Sequence, residues 1–156
     1  MGEDLIFVSH KAEETRALGA SLALCLEAGD FIALDGDLAA GKTCLVQGLA
    51  AGLGYPGQAT SPTFSLLHLY EGGRLPLYHF DVYRLSAPEE IENLGYEEFF
   101  YGGGICVVEW SERIRAYLPG YRLGIVMEGK EESRRIQVSF FGWEDVRRQK
   151  IRLESV

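Results

Sequence analysis

Residues 36–43 read Gly-Asp-Leu-Ala-Ala-Gly-Lys-Thr, which fits the pattern G-x-x-x-x-G-K-[ST] at every fixed position. A compact apolar run, Phe31–Leu34, precedes this stretch, and leucines at positions 45, 49 and 53 follow it with helical spacing. The pattern therefore predicts a buried strand, a glycine-rich loop and a helix in direct succession. In that arrangement a loop can hold phosphate groups. We interpret residues 36–43 as a phosphate-binding P-loop.

The residues of this loop indicate how it would hold a nucleoside triphosphate. Gly36 and Gly41 permit backbone angles that a side chain would oppose, so the loop can point its N–H groups inward as an anion nest. The helix that begins near Lys42 adds the positive end of its dipole. We expect Lys42 to reach the β- and γ-phosphates and the Thr43 hydroxyl to occupy one magnesium position. ATP and Mg²⁺ are therefore the predicted cofactors, and a glycine-rich turn without a ligand is the alternative.

The rest of the chain predicts an α/β fold, with strands and helices alternating early and hairpins later. Further strands are expected at Leu5–Val8, Phe64–Tyr70, Leu75–Arg84, Ile105–Val108, Leu123–Met127 and Ile136–Phe141. Further helices are expected around residues 18–26, 88–100, 111–119 and 143–153, with a capping box from Ser86 and Glu89 and a cap from Ser111. We predict one P-loop NTPase domain over residues 1–156, with a central mixed sheet flanked by helices. The strands that begin at Phe31 and Ile105 would be parallel neighbours at the centre of the sheet.

Two carboxylates follow buried strands and are candidates for chemistry at the phosphates. Glu109 comes directly after the Ile105–Val108 strand, where a second magnesium ligand is expected. Asp81 ends the apolar run 77–80, where it could orient the attacking water or bind magnesium through water. The alternatives are a solvated strand-end carboxylate for Glu109 and a structural pair with Arg84 for Asp81. We interpret His79 as a core or edge histidine.

The composition argues against nucleic-acid and membrane binding by the chain itself. The net charge is −8, and we expect the basic cluster Arg147-Arg148-Lys150-Arg152 to be a solvated helix face, so tight direct RNA binding is not expected. No apolar run approaches the ~20 residues that a membrane helix needs. The acidic N-terminus does not resemble a secretory signal, so we predict a cytoplasmic location. The cysteines at 25, 44 and 106 are expected to be reduced and buried.

Four segments together resemble a known family: residues 36–43, Ser61-Pro62-Thr63-Phe64, His79-Phe80-Asp81-Val82-Tyr83-Arg84 and Val108-Glu109-Trp110. In this order and spacing they look like the bacterial TsaE (YjeE) family of P-loop ATPases, over nearly the whole chain from about residue 15 to 135. The resemblance implies an ATPase of tRNA threonylcarbamoyladenosine biosynthesis. It would work with two partners, the catalytic threonylcarbamoyl transferase subunit and its paralogue scaffold, and would reach tRNA only through that complex. The complex modifies the adenosine beside the anticodon in tRNAs that read codons starting with A.

The resemblance also implies roles for individual residues. Lys42 and Asp81 would be catalytic, and Thr43 and Glu109 would bind magnesium. Nucleotide contacts would come from Thr15, Gly36, Asp37, Leu38, Ala39, Ala40, Gly41, Lys42, Thr43, Cys44, Trp110 and Arg135, with Thr15 and Arg135 near the nucleoside. Thr63 would lie in a switch-like loop. Similar loops usually have glycine where this chain has Ala39, and an alanine held at positive φ would cost about 1 kcal/mol.

Two other functions also fit a P-loop. A small-molecule kinase needs an acceptor pocket and usually an arginine-bearing lid, and no arginine-dense lid segment is evident in the sequence. A nucleotide-dependent binding switch would have negligible turnover. ATP consumption stimulated by a small alcohol or nucleoside would favour the kinase, and stimulation by protein partners would favour the ATPase. Single-turnover hydrolysis would separate the ATPase from the switch.

Overall fold

The computed structural model describes residues 4–37, 40–57, 59, 66–130 and 132–154. The strands are β1 (Leu5–Ser9), β2 (Phe31–Gly36), β3 (Leu67–Tyr70), β4 (Leu77–Asp81), β5 (Ile105–Glu109), β6 (Arg122–Lys130) and β7 (Ser133–Phe141). The α-helices are α1 (Ala12–Ala23), α2 (Lys42–Gly52), α3 (Glu97–Phe100) and α4 (Asp145–Glu154). Two 3-10 helices, Pro88–Leu94 and Ser111–Tyr117, precede and follow the segment that contains α3 and β5.

The described strands form a seven-stranded sheet in the order β1-β7-β6-β2-β5-β4-β3. β2 lies at the centre and is parallel to both β5 and β6, while β4 is parallel to β5. The outer pairs, β3 with β4, β6 with β7 and β1 with β7, are antiparallel. The predicted mixed sheet with parallel core strands is therefore confirmed, as are the β2–β5 pairing and the later hairpins, which are β3–β4 and β6–β7. The chain returns beside β2 through β6, so the central strand is paired on both sides.

Alternating residues of β2 supply two separate cores, one on each face of the sheet. Ile32 and Leu34 pack with the helices α1, α2 and α4 in the larger core. Phe31 and Ala33 pack on the opposite face with residues of the 3-10 helices and α3, among them Ile91. A strand that is covered on both faces has no polar side, which explains why its sequence is an unbroken apolar run.

Three glycines let α1 and α2 approach until their backbones touch. A Cβ atom added at Gly48 would lie 2.8 Å from the carbonyl carbon of Arg16, and one added at Gly19 would lie 2.9 Å from the backbone nitrogen of Leu49. One added at Gly52 would lie 2.6 Å from the carbonyl oxygen of Ala20. Because α2 begins at the P-loop, this contact ties the helix that follows the loop to α1 with no side chains between the two backbones.

The predicted helix over residues 88–100 is wrong as one helix. Gly95 lies between the 3-10 helix and α3 with φ 64°, a left-handed conformation that ends a helix. The predicted capping box also lies one residue off: the carboxylate of Glu90, not Glu89, accepts the N–H of Ala87 at 2.9 Å and that of Ser86. The capping geometry requires a three-residue spacing from the cap at Ala87, and Glu90 provides it.

Other predicted boundaries also need correction. β4 covers Leu77–Asp81, so the predicted strand over residues 75–84 was too long at both ends. The chain turns after β4, where the N–H of Leu85 donates to the carbonyl of Val82 at 3.2 Å. Of the predicted strand 64–70, β3 covers Leu67–Tyr70, and residue 64 lies outside the described residues.

Two predictions about surface and cap residues are contradicted. Ser111 does not cap the helix that follows it, because its hydroxyl donates to Asp35 Oδ2 at 2.7 Å and the residue before the helix is Trp110. Arg147, expected on a solvated face, instead donates to the buried carboxylate of Asp30 at 2.7 and 3.0 Å.

The three cysteines are all thiols, and two of them, Cys25 and Cys106, are buried as predicted. Cys44 was also expected to be buried but is half-exposed. No helix in the described part of the chain is both long and apolar enough to cross a membrane.

Candidate active site

The end of the parallel sheet places two carboxylates side by side. Asp81 and Glu109 are the last residues of β4 and β5, and they pair in register with each other and with Leu34 of β2. Leu34 packs in the core beneath α2, so this row of residues faces the helix that begins at Lys42. Parallel strands end at one edge of the sheet, which is where ligands bind in open α/β folds. The structure thus brings together the two predicted carboxylates and the P-loop lysine.

The described part of the P-loop contains two glycines in backbone conformations that suit glycine. Gly36 ends β2 with φ 150° and Gly41 precedes α2 with φ 93°. Ala40 is buried, and its N–H donates to the carbonyl of Asp37 at 3.0 Å. Leu38 and Ala39 lie outside the described residues, so the predicted strain at Ala39 stays a prediction. The strand–loop–helix order predicted for this segment is confirmed.

Lys42 is held at the loop by two contacts and is only 4% exposed. Its Nζ atom donates to the carbonyl of Gly36 at 2.6 Å and lies 3.6 Å from the centre of the Trp110 ring. Burial lowers the pKa of Lys42, and the negative charges of Glu109 and Asp81 oppose that shift. The lysine is therefore positioned between a carbonyl dipole, an aromatic face and nearby carboxylates, all of which favour a cation.

Trp110 holds its ring over Lys42 by means of an unusual backbone conformation. It is the non-glycine residue in the described chain with positive φ, 62°, a conformation that costs an L-residue about 1 kcal/mol or more. Its N–H donates to the carbonyl of Leu34 at 3.0 Å, and its ring lies 4.8 Å from that of Tyr83. The chain must turn directly after Glu109 for this ring to return to the P-loop, and the left-handed residue makes that turn.

Asp81, the last residue of β4, is half-buried. Its Oδ1 atom accepts the N–H of Tyr83 at 3.0 Å. Burial raises the pKa of Asp81, the Tyr83 hydrogen bond lowers it, and the charge of Glu109 raises it further. Within the described residues Asp81 makes no ion pair with Arg84, which was the structural alternative.

Glu109 is 3% exposed and is hydrogen-bonded to the equally buried His79. The ring Nε2–H of His79 donates to Glu109 Oε2 across the two neighbouring strands. The alternative of a solvated Glu109 is therefore wrong. The prediction of a core histidine is correct about burial, but it missed the carboxylate partner. Residues 79 and 81 alternate along one strand and so share a face, and that spacing was the signal available in the sequence.

A pocket with a volume of about 90 Å³ lies beside the first turn of α2. It is lined by Lys11, Ala12, Thr15, Gly41, Cys44, Glu132 and Arg134. Thr15 therefore shares a pocket with Gly41 of the loop, its hydroxyl lies 2.7 Å from that of Ser9, and its predicted place near the nucleoside stays a prediction. Arg135 is exposed and donates to Gln137 at 3.3 Å, whereas its neighbour Arg134 lines the pocket. Adjacent residues of β7 point to opposite faces, so a one-residue difference decides which arginine reaches the pocket.

The donor atoms at this edge of the sheet fit a small hard cation. Thr43 offers a hydroxyl, and Glu109 and Asp81 offer carboxylate oxygens, which are the ligand atoms that Mg²⁺ prefers. Within the described residues no group of three or more His, Cys, Asp and Glu side chains forms a metal site by itself. Mg²⁺ usually takes one or two protein ligands and fills its other positions with phosphate oxygens and water. The residues present therefore fit Mg²⁺ bound together with a nucleotide.

Comparison with known proteins connects this geometry to a family. The family model described as "Threonylcarbamoyl adenosine biosynthesis protein TsaE" matches residues 9–137. The chain belongs to the TsaE family. A TsaE protein of Treponema pallidum is 50% identical over 118 residues, which are 76% of this chain and 87% of the relative. A TsaE protein of Nostoc is 44% identical over 141 residues, covering 87% and 85% of the two chains.

A solved structure supports the same assignment at the level of the fold. The crystal structure of Bacillus subtilis YdiB superposes with a TM-score of 0.81 and is 36% identical, covering 99% of this chain and 96% of that one. The resemblance inferred from four short segments is thus confirmed, together with the mixed α/β fold. The candidate site lies at the end of the central strand and on one side of it, since Lys42 follows β2 and the two carboxylates end the neighbouring strands β5 and β4.

Proposed function

We propose that this TsaE-family protein binds ATP with Mg²⁺ and hydrolyses it in support of threonylcarbamoyl modification of the adenosine next to the anticodon in tRNA. The names of the relatives support the pathway, since each is called a tRNA threonylcarbamoyladenosine biosynthesis protein. The observation that supports the chemistry most is the row of Glu109 and Asp81 beside Lys42. A substrate with concentrated negative charge fits the lysine, and a cation bound with it fits the carboxylates.

Lys42 would neutralise the β- and γ-phosphates. Its Nζ atom already points into the loop, where it donates to the carbonyl of Gly36. The loop N–H groups and the start of α2 would supply the remaining positive potential. Entry of the phosphates would replace the Gly36 contact with a stronger charge-assisted hydrogen bond. The face of Trp110 would meanwhile keep the ammonium group from moving toward solvent.

Glu109 and Asp81 would have different tasks because their surroundings differ. The buried Glu109, with the Thr43 hydroxyl, would hold Mg²⁺, which when bound neutralises charge on the phosphates. Asp81 is more exposed and would orient the attacking water through a hydrogen bond. The pocket lined by Thr15, Cys44 and Arg134 lies beside the first turn of α2 and would contact part of the nucleoside.

The proposed partners are the threonylcarbamoyl transferase subunit and its paralogue scaffold, with tRNA reached only through that complex in the cytoplasm. The net charge of −8 supports indirect rather than direct contact with tRNA. A small-molecule kinase is not favoured, because the chain matches the TsaE family over residues 9–137. A binding switch without turnover remains the alternative that kinetics must separate from the ATPase.

The test is the rate of ATP hydrolysis with and without the two partner proteins. We expect slow hydrolysis by the isolated chain and acceleration by the partners. Asp81→Asn should lower turnover far more than ATP affinity, and Lys42→Ala should abolish binding or hydrolysis. Asp145→Asn is the matched control, because that carboxylate is 81% exposed on α4 and should leave both quantities unchanged. A fast basal rate that the partners do not change, or no hydrolysis in a single turnover, would contradict the proposal.

A further inference from the structure

The contact between His79 and Glu109 is set by the register of β4 and β5. His79 pairs with Val107, and Glu109 lies two residues further along β5, so the two side chains are diagonal neighbours on the face beneath α2. The ring Nε2–H donates to Glu109 Oε2, and both residues are almost completely buried. The contact is therefore shielded from water, where a hydrogen bond to a charged group is stronger than at a surface.

Core packing alone does not explain a histidine at this position. The side chain is 0% exposed, and its Nδ1 atom has no hydrogen-bond partner within the part of the chain that the structure describes. A buried polar atom without a partner costs free energy, and a leucine would fill similar space without that cost. The Nε2 contact with Glu109 is the feature that a leucine could not supply. The polar side chain is thus accounted for by its carboxylate partner.

Glu109 gains a fixed orientation from this hydrogen bond. The carboxylate has two oxygens, and the hydrogen bond engages Oε2, so Oε1 would be the oxygen left to bind a metal. Residues that hold a metal ligand in this way typically contribute about 10- to 100-fold to metal affinity. We propose that His79 is a positioning residue that holds the Glu109 carboxylate in the orientation that binds Mg²⁺ with the nucleotide. This inference rests on the proposed role of Glu109 as a magnesium ligand.

The experiment measures nucleotide binding as a function of Mg²⁺, without any need for turnover. ADP affinity is measured by calorimetry in EDTA and then at a series of Mg²⁺ concentrations for wild type, His79→Leu, His79→Gln and His79→Asn. In the leucine variant we expect the Mg²⁺ concentration at half effect to rise about 10- to 100-fold, with affinity in EDTA unchanged. A purely structural role would lower affinity equally with and without Mg²⁺, and that result would overturn the proposal.

The two amide variants give a test that does not depend on the leucine variant folding. The glutamine amide nitrogen can occupy the position of Nε2 and restore the donor, whereas the shorter asparagine places its amide near the position of Nδ1. We expect glutamine to bind Mg²⁺ within about threefold of wild type and asparagine to show the full loss. Equal Mg²⁺ dependence in these two variants would overturn the proposal.

A Glu109→Gln variant separates failure of this inference from failure of the proposed site. If Glu109→Gln loses its Mg²⁺ dependence and the leucine and asparagine variants at His79 keep theirs, only the positioning role is overturned. If Glu109→Gln itself keeps wild-type Mg²⁺ dependence, the magnesium assignment and the positioning role are both overturned. Loss in Glu109→Gln together with loss in the leucine and asparagine variants supports both.

Discussion

A Gly48→Ala substitution tests the close approach of α1 and α2. Helix propensity predicts that this change in the middle of α2 stabilises the protein by about 1 kcal/mol. The structure predicts the opposite, because the new Cβ would lie 2.8 Å from the carbonyl carbon of Arg16 and 2.9 Å from its Cα atom. Carbon atoms in contact normally lie ~3.5–4.0 Å apart, so the helices would have to separate by about 1 Å.

The size of the effect follows from the two groups that would clash, the new Cβ of residue 48 and the backbone of Arg16, because neither can rotate away. Overpacking of a core costs about 1–3 kcal/mol, and the upper end applies here because no side-chain rotation can relieve the contact. Subtracting the gain in helix propensity leaves a net loss of about 2 kcal/mol. For a domain of this size the expected fall in Tm is roughly 4–8 °C.

Urea unfolding followed by circular dichroism measures this difference directly. Gly103→Ala is the matched control, because a Cβ at that position meets no atom within 4 Å. We expect the control to stay within about 0.5 kcal/mol of wild type. A Gly48→Ala protein as stable as wild type, or more stable, would refute the backbone-to-backbone packing of the two helices.

Three further predictions concern other parts of the chain. Gly36→Ala should destabilise the fold by about 2 kcal/mol or more in urea unfolding, because the new Cβ would meet the backbone of Met127 on β6. Unchanged stability would contradict the tight β2–β6 pairing. Arg147→Met should cost about 3 kcal/mol in the same assay, because it leaves the carboxylate of Asp30, which is 2% exposed, without its cation. A change below about 0.5 kcal/mol would mean that the ion pair contributes little to stability. Burial raises the pKa of Asp81, so the folded protein holds the carboxyl proton of Asp81 more tightly than the unfolded chain does. The free energy of unfolding therefore falls as the pH rises from about 4 through the raised pKa. Asp81→Asn should therefore be more stable than wild type at pH 7, with the difference closing toward pH 4 in urea titrations, and equal stability at pH 7 would contradict the burial cost.

The local features of this protein were predictable because neighbouring residues encode them. The P-loop needs a glycine at each end and a lysine at the first helical turn, and these lie within eight residues of one another. Two further patterns each reflect the burial of a single element, and a short stretch of sequence is enough to show them. They are the apolar run 31–34 in β2 and the spacing of the leucines in α2. The helix predicted over residues 88–100 was wrong because the composition of the segment favours a helix throughout. A single residue, Gly95, adopts a left-handed conformation and divides the segment in two.

Contacts between distant segments were decided only by the tertiary structure. His79 meets Glu109, Trp110 covers Lys42 and Arg147 meets Asp30, and the last pair is separated by 117 positions in the chain. Each contact depends on the order and register of the strands, and a shift of one residue would turn every side chain of a strand to the other face. Register is selected by the packing of both cores at once, which no local window of sequence contains. The sequence therefore identifies the chemical groups of the site. Their orientation relative to one another is determined only when the whole sheet has assembled.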